Sequence, residues 1–157
     1  MTLNFVKAHA YGNDFLFIEQ DLVSNEQASR LSQVICDRHL GLGADGVVFY
    51  RQTADRAVMK LFNADGSAAE VSGNGVRCLG AILVDALDTE QSRQRQADEI
   101  QIETDGGIKR LTLLDADPPR YTFRAYMGEP IGLERRVLDV AGAVSYTHLT
   151  LPTSDLV

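Results

Sequence analysis

The chain has few residues for cross-links or metal sites. Among its 157 residues there are two cysteines, Cys36 and Cys78, and neither sits in a CxxC pair. Two cysteines cannot make a disulfide framework, and the pattern fits reduced thiols in the cytoplasm. The three histidines, His9, His39 and His148, lie far apart with no ligand spacing, so no structural metal is expected. Basic charge is also scarce: 15 Lys and Arg stand against 22 Asp and Glu, a net charge of −7. That argues against nucleic acid and against an anionic membrane surface as main partners. No apolar run is long enough to span a bilayer. The opening "MTLNFVKAHAYGNDF" has no basic start followed by a long apolar run, so no signal peptide is expected.

What remains is ordinary soluble material, 45% hydrophobic and 24% charged. The length fits one domain with a real core, or half of a larger two-domain protein.

Residues 3–8 and 14–20 read as two strands around the turn "AYGND". Ser24 opens a helix through a capping box with Gln27. Ala28, Leu31, Val34 and Ile35 fall on one face of it, and Gly41 and Gly43 lead out of it. Cys36 neighbours that face and reads as a buried structural thiol. "GVVFYRQ" and "RAVMKLFNADG" read as a strand pair. A second helix spans about residues 74–87, with Val76, Leu79, Leu83 and Ala86 on its apolar side. Residues 88–98 are a polar linker without apolar period. "EIQIET", "IKRLTLL" and "RYTFRAYM" are three further strands. Gly106 and Gly107 turn between the first two, and Asp117, Pro118 and Pro119 precede the third. The fold class is α+β, a curved and mostly antiparallel sheet packed on helices.

The most unusual stretch is "VSGNGVRC", residues 71–78. Its glycine-rich turn starts a helix, whose first N–H groups have no partners within the helix. With the helix dipole they favour an anion. Gly73 and Gly75 remove side chains that would keep a ligand from the backbone. Ser72 is either a plain N-cap or a group facing that ligand. Asn13 and Asn63 sit in two further turns, "GND" and "NADG", where Asn serves the backbone or donates to a polar ligand. Asp45, Asp65 and Glu70 read as solvated turn residues.

Together these segments resemble the N-terminal half of the diaminopimelate epimerase family. The similar stretches are "FVKAHAYGNDFLFIE", "ICDRHLGLGADGVVF", "MKLFNADGSAAEVSGNGVRCLGAIL" and, more weakly, "AYMGEP", over roughly residues 3–130. The resemblance implies two similar halves with the active site between them. It implies epimerisation of LL- to meso-diaminopimelate, for lysine and peptidoglycan precursors, with neither pyridoxal phosphate nor another cofactor. In that chemistry one cysteine from each half faces the α-carbon, one removing the proton and the other returning it. By the same resemblance, Asn13, Asn63, Gly73 and Asn74 contact the substrate. Ser72 holds the place of the first catalytic cysteine, and Cys78 is structural.

Three departures accompany the match. A serine hydroxyl is a far weaker acid than a thiol of pKa ~8.5, so Ser72 stores no base at neutral pH. Gly46 stands where some members carry a substrate-binding glutamine. The motifs of the second half are not found, so this chain alone is expected to be inert. Residues 1–143 are expected to form the epimerase half, with its cleft face exposed. Residues 144–157 resemble translated adapter sequence more than any family segment, and His148 then carries no function. Two alternatives stand beside this reading. One is a related proline-racemase-like or phenazine-enzyme-like isomerase, the other a non-catalytic small-acid binding module. The sequence leaves monomer and homodimer both open.

Overall fold

The computed structural model describes residues 3–19, 24–53, 55–86 and 99–129, and the backbone of residues 134–138 and 146–150. One compact unit spans Met1–Met127 and a second spans Gly128–Val157.

The first unit begins with a hairpin of β1 (Val6–Ala10) and β2 (Asn13–Glu19). Its turn is only Tyr11 and Gly12, with φ of 55° and 87°. Positive φ at both central residues matches the right-handed twist of the strands. This two-residue turn is shorter than the five-residue "AYGND", so β1 runs to Ala10 and β2 starts at Asn13.

Helix α1 (Asn25–Cys36) carries the expected capping box, with Gln27 N–H donating to Ser24 Oγ at 3.3 Å. Its buried stripe is Ala28, Ser32 and Cys36, flanked by Leu31 and Ile35. Val34, expected on that face, is 68% exposed. The true stripe runs at four-residue spacing through a serine, which hydropathy alone passes over. The Ser32 hydroxyl donates to the Ala28 carbonyl at 2.8 Å, which permits its burial.

Strands β3 (Gly46–Gln52) and β4 (Ala57–Asn63) pair antiparallel, and the short β5 (Ala68–Ala69) adds to β4. Helix α2 (Gly73–Asp85) follows, then β6 (Glu99–Thr104), β7 (Gly107–Asp117) and β8 (Arg120–Tyr126). Val76, Leu79 and Leu83 of α2 are buried as expected, whereas Ala86 caps the end and is exposed. The turn from β6 to β7 is Asp105 and Gly106, with Gly107 at a φ of 86° as the first residue of β7. The linker expected at residues 88–98 lies outside the described residues.

The sheet runs β1-β2-β3-β4-β6-β7-β8. β2 and β3 are parallel and connect through α1; β4 and β6 are parallel and connect through α2. The remaining pairings are antiparallel, so the sheet is mixed and mostly antiparallel. The two helices cover opposite faces. Leu16, Ile18, Val47, Phe49 and Phe62 turn towards α1, and Phe15, Phe17, Val48, Tyr50, Met59 and Leu61 join the α2 cluster. Burial on both faces explains the unbroken apolar runs "FLFI" and "VVFY".

The sheet curls around α2, which packs against both ends of the strand series, β1 and β8. A Cβ on Gly80 would stand 2.5 Å from Leu111 Cδ1, so this glycine sets how close the helix lies. Leu79 is fully buried there. Truncating it to Ala would cost roughly 3–5 kcal/mol. This packing fixes the N-terminus of α2 against the strand ends that carry the asparagines.

In the second unit, β9 (Glu134–Leu138) and β10 (Tyr146–Thr150) form an antiparallel ladder. Strand β10 lies within the 144–157 segment, where no strand period is apparent. A two-stranded ladder is a local device and bears on neither reading of that segment's origin.

Candidate active site

Ser72 is the N-cap of α2, in extended conformation with φ −127° and ψ 124°. Its Oγ accepts from the Gly75 N–H at 3.1 Å, and its carbonyl accepts the Val76 N–H at 2.8 Å. The plain capping role is therefore filled. A Cβ on Gly75 would press to 3.3 Å against that of Ser72, so Gly75 lets the turn close. The Arg77 guanidinium folds back onto the Gly73 carbonyl at 2.9 Å. It brings a cation to the same first turn, where the helix dipole already favours negative charge. Nothing in the sequence marked Arg77, although its four-residue spacing from Gly73 puts both on one helix face.

Asn74 reaches out of the turn. Its Nδ2 donates to Asn13 Oδ1 at 3.4 Å and links α2 to the start of β2. Asn13 Nδ2 in turn donates to Asp45 Oδ2 at 3.0 Å. The fold thus gathers Ser72, Gly73, Asn74 and Asn13. Asn63 lies at the same end of the sheet, because it pairs with Gly46, which pairs with Phe15. Its amide points elsewhere: Nδ2 donates to Ser67 Oγ at 3.0 Å, inside its own turn.

Asp45, expected as a solvated turn residue, is part of a network. Arg38 Nη2 donates to Asp45 Oδ1 at 2.8 Å and to Asp14 Oδ1 at 2.6 Å. Lys7 Nζ lies 3.1 Å from Asp14 Oδ2 and donates to the Gly43 carbonyl at 2.6 Å. The Arg38 hydrogen bond, with help from Lys7, holds the Asp14 carboxyl well below the usual carboxylate range. Sequence spacing could not show this network, because its members come from β1, β2 and the loop after α1. Asp65 is a turn residue as expected, accepting from the Ser67 N–H at 2.8 Å.

A cleft of about 640 Å³ opens beside this network, lined by Lys7, Ala8, His9, Gly12, Asp14 and Arg38. It is not where the candidate chemistry lies. Its lining omits Ser72, Gly73 and Asn74, and Lys7 and Arg38 are both paired with Asp14.

The two thiols are unsuited to acid–base work. Burial pushes Cys36 up to about 11 and Cys78 up to about 11. Cys78 sits in the α2 core cluster, in keeping with a structural role. Gly46 is equally closed to the site. An added Cβ there would stand 2.7 Å from the Phe62 carbonyl oxygen, so this backbone has no room for a glutamine. Among the described residues no cluster of His, Cys, Asp and Glu could hold a metal ion, and no helix is long and apolar enough to cross a membrane.

Similar solved structures share the fold. A probable proline racemase from Agrobacterium radiobacter K84 aligns with a TM-score of 0.60 at 14% identity, covering 94% of this chain and 48% of that one. A phenazine biosynthesis protein from Bacillus anthracis aligns with a TM-score of 0.54 at 15% identity, covering 90% and 43%. At such identity the likeness concerns architecture alone. Sequence relatives are nearer. The diaminopimelate epimerase of Agathobacter rectalis is 37% identical over 131 residues, 82% of this chain and 44% of its own length. That of Pelotomaculum thermopropionicum is 36% identical over 143 residues, 89% of this chain and 49% of its own length. The chain therefore spans about half the length of these curated relatives. The family model for diaminopimelate epimerase matches residues 5–132, and the chain belongs to the diaminopimelate epimerase family.

Proposed function

We propose that this chain supplies one wall of an epimerase site that moves a proton at the α-carbon of diaminopimelate without a cofactor. The observation that carries the reading is the capped, glycine-lined start of α2, tied through Asn74 to Asn13 within the family-matched segment. The unpartnered N–H groups of the first turn hold a carboxylate, and Arg77 adds positive charge. Donors placed there also stabilise the negative charge that develops as the α-proton leaves. Asn13, Gly73 and Asn74 serve as substrate contacts, and Asn63 joins them by turning its amide away from Ser67. The setting is the cytoplasm and the partner is a small amino acid.

Ser72 occupies the acid–base position with a group too weak to hold a resident base. Its role is to relay or donate a proton, and the abstracting group comes from the facing half of the cleft. Residues 144–157 take no part.

Deuterium incorporation at the α-carbon of diaminopimelate in heavy water tests this. This half joined to the remaining half of the Agathobacter rectalis relative should incorporate deuterium, and the 157-residue chain alone should not. Absence of incorporation by the joined protein would reject the reading.

One observation favours a second reading, a non-catalytic small-acid binding module: the Ser72 hydroxyl is already engaged as an N-cap. Saturable diaminopimelate binding without exchange, unchanged when Ser72 becomes Cys, would establish it instead.

A further inference from the structure

Asp45 lies in the "GADG" loop, yet both oxygens of its carboxylate are committed. Oδ1 accepts from Arg38 at 2.8 Å. Oδ2 accepts from the Asp14 backbone N–H and from Asn13 Nδ2, each at 3.0 Å. Arg38 is anchored in turn by both oxygens of Asp14, at 2.6 and 3.3 Å. An ionised carboxylate accepts hydrogen bonds and donates none. The two ends of an asparagine amide are nearly equal in size, so partners alone decide which way it faces. Against Asp45 the amide must present Nδ2. Its carbonyl oxygen then faces the α2 turn, where Asn74 donates to it at 3.4 Å. The reversed amide would set a carbonyl oxygen against a carboxylate and two NH2 groups against each other.

We propose that Asp45 is a positioning residue of the site, fixing the Asn13 amide so that it presents an acceptor towards the first turn of α2. Arg38 holds Asp45 in place for this task. The functional consequence rests on the reading of Asn13 as a substrate contact; the orientation itself does not.

The test uses the 157-residue chain without substrate, with its asparagine side chains labelled for NMR. Through-hydrogen-bond coupling between Asn13 Nδ2 and Asp45 Cγ should be present, and the Asn13 amide should be rigid, with an order parameter near ~0.85. In Asp45→Ala the coupling disappears and the order parameter falls below ~0.6. The Asn63 amide, bonded to Ser67, stays unchanged and reports an intact fold. Asp45→Asn should give a second orientation of Asn13, seen as new amide shifts. Absence of the coupling in the unmutated chain overturns the proposal even if the variants fail to fold. An Asn13 amide that stays rigid in Asp45→Ala also overturns it. No substrate enters these measurements, so their failure is distinct from failure of the epimerase reading, which deuterium exchange decides.

Discussion

Asn74 on α2 donates its side-chain amide to Asn13 at the start of β2, 3.4 Å away and 61 residues earlier in the chain. This contact joins two turns that the sequence shows only separately. At that length the bond is weak, and replacing Asn74 by Ala should change stability by less than about 1 kcal/mol. If Asn74 contacts substrate as proposed, proton exchange by the joined protein should nevertheless fall by at least ~10-fold. Thermal denaturation and exchange rates on the same preparations give both values. Equal activity with and without Asn74 would remove it from the site.

Position 72 makes a prediction that needs no substrate. A cysteine placed at the N-terminus of α2 gains from the dipole and from Arg77. In Ser72→Cys the new thiol should ionise below ~8.5. Cys36 and Cys78, raised to about 11 by burial, should stay protonated at neutral pH. Thiolate absorbance against pH, together with Ellman's reagent on native protein, should show one reactive thiol in the variant and none in the parent.

The Asp14 network predicts the acid limb of stability. Asp14 titrates lower in the folded chain than its unfolded value of ~3.9. Its stabilisation is therefore complete above that value and is lost as pH falls below it. Asp14→Asn should remove about 1 kcal/mol near neutral pH, since the half-exposed Arg38 is screened by solvent. It should also flatten the loss of stability below about pH 4. Urea midpoints for both proteins from pH 2 to 7 check the sign, which would be contradicted by parallel curves.

Gly46 predicts a packing limit. Gly46→Ala places a methyl group 2.7 Å from the Phe62 carbonyl oxygen, a backbone atom that cannot swing aside. A loss of about 1–3 kcal/mol is expected in denaturant titration. An unchanged midpoint would show that β3 and β4 adjust freely.

Much of the scaffold was legible because its patterns are local. The Ser24 capping box, the "VVFY" run and the apolar side of α2 each follow from neighbouring residues. Val34 lies off the buried stripe of α1 because that stripe passes through Ser32, whose hydroxyl is satisfied by its own helix. The β1–β2 turn is tighter than its sequence suggests because Tyr11 accepts positive φ, which lets two residues make it. At the site, the turns themselves could be read, but their mutual contacts could not. Asp45 reads as a solvated loop residue because Asn13 reaches it only through the parallel pairing of β2 with β3, and Arg38 only through the way their shared loop folds back. Asn63 shares the sheet end with Asn13, yet its bond to Ser67 depends on a side-chain rotation that spacing does not reveal.

The most direct measurement is α-proton exchange of diaminopimelate in heavy water by the joined protein, with Ser72 and with Ser72→Cys compared side by side. If Ser72 occupies the acid–base position, the cysteine variant should exchange roughly 10²–10⁴-fold faster, the range typical of a positioned proton-transfer group. Equal rates in the two proteins, or exchange in neither, would contradict the assignment of catalysis to the first turn of α2.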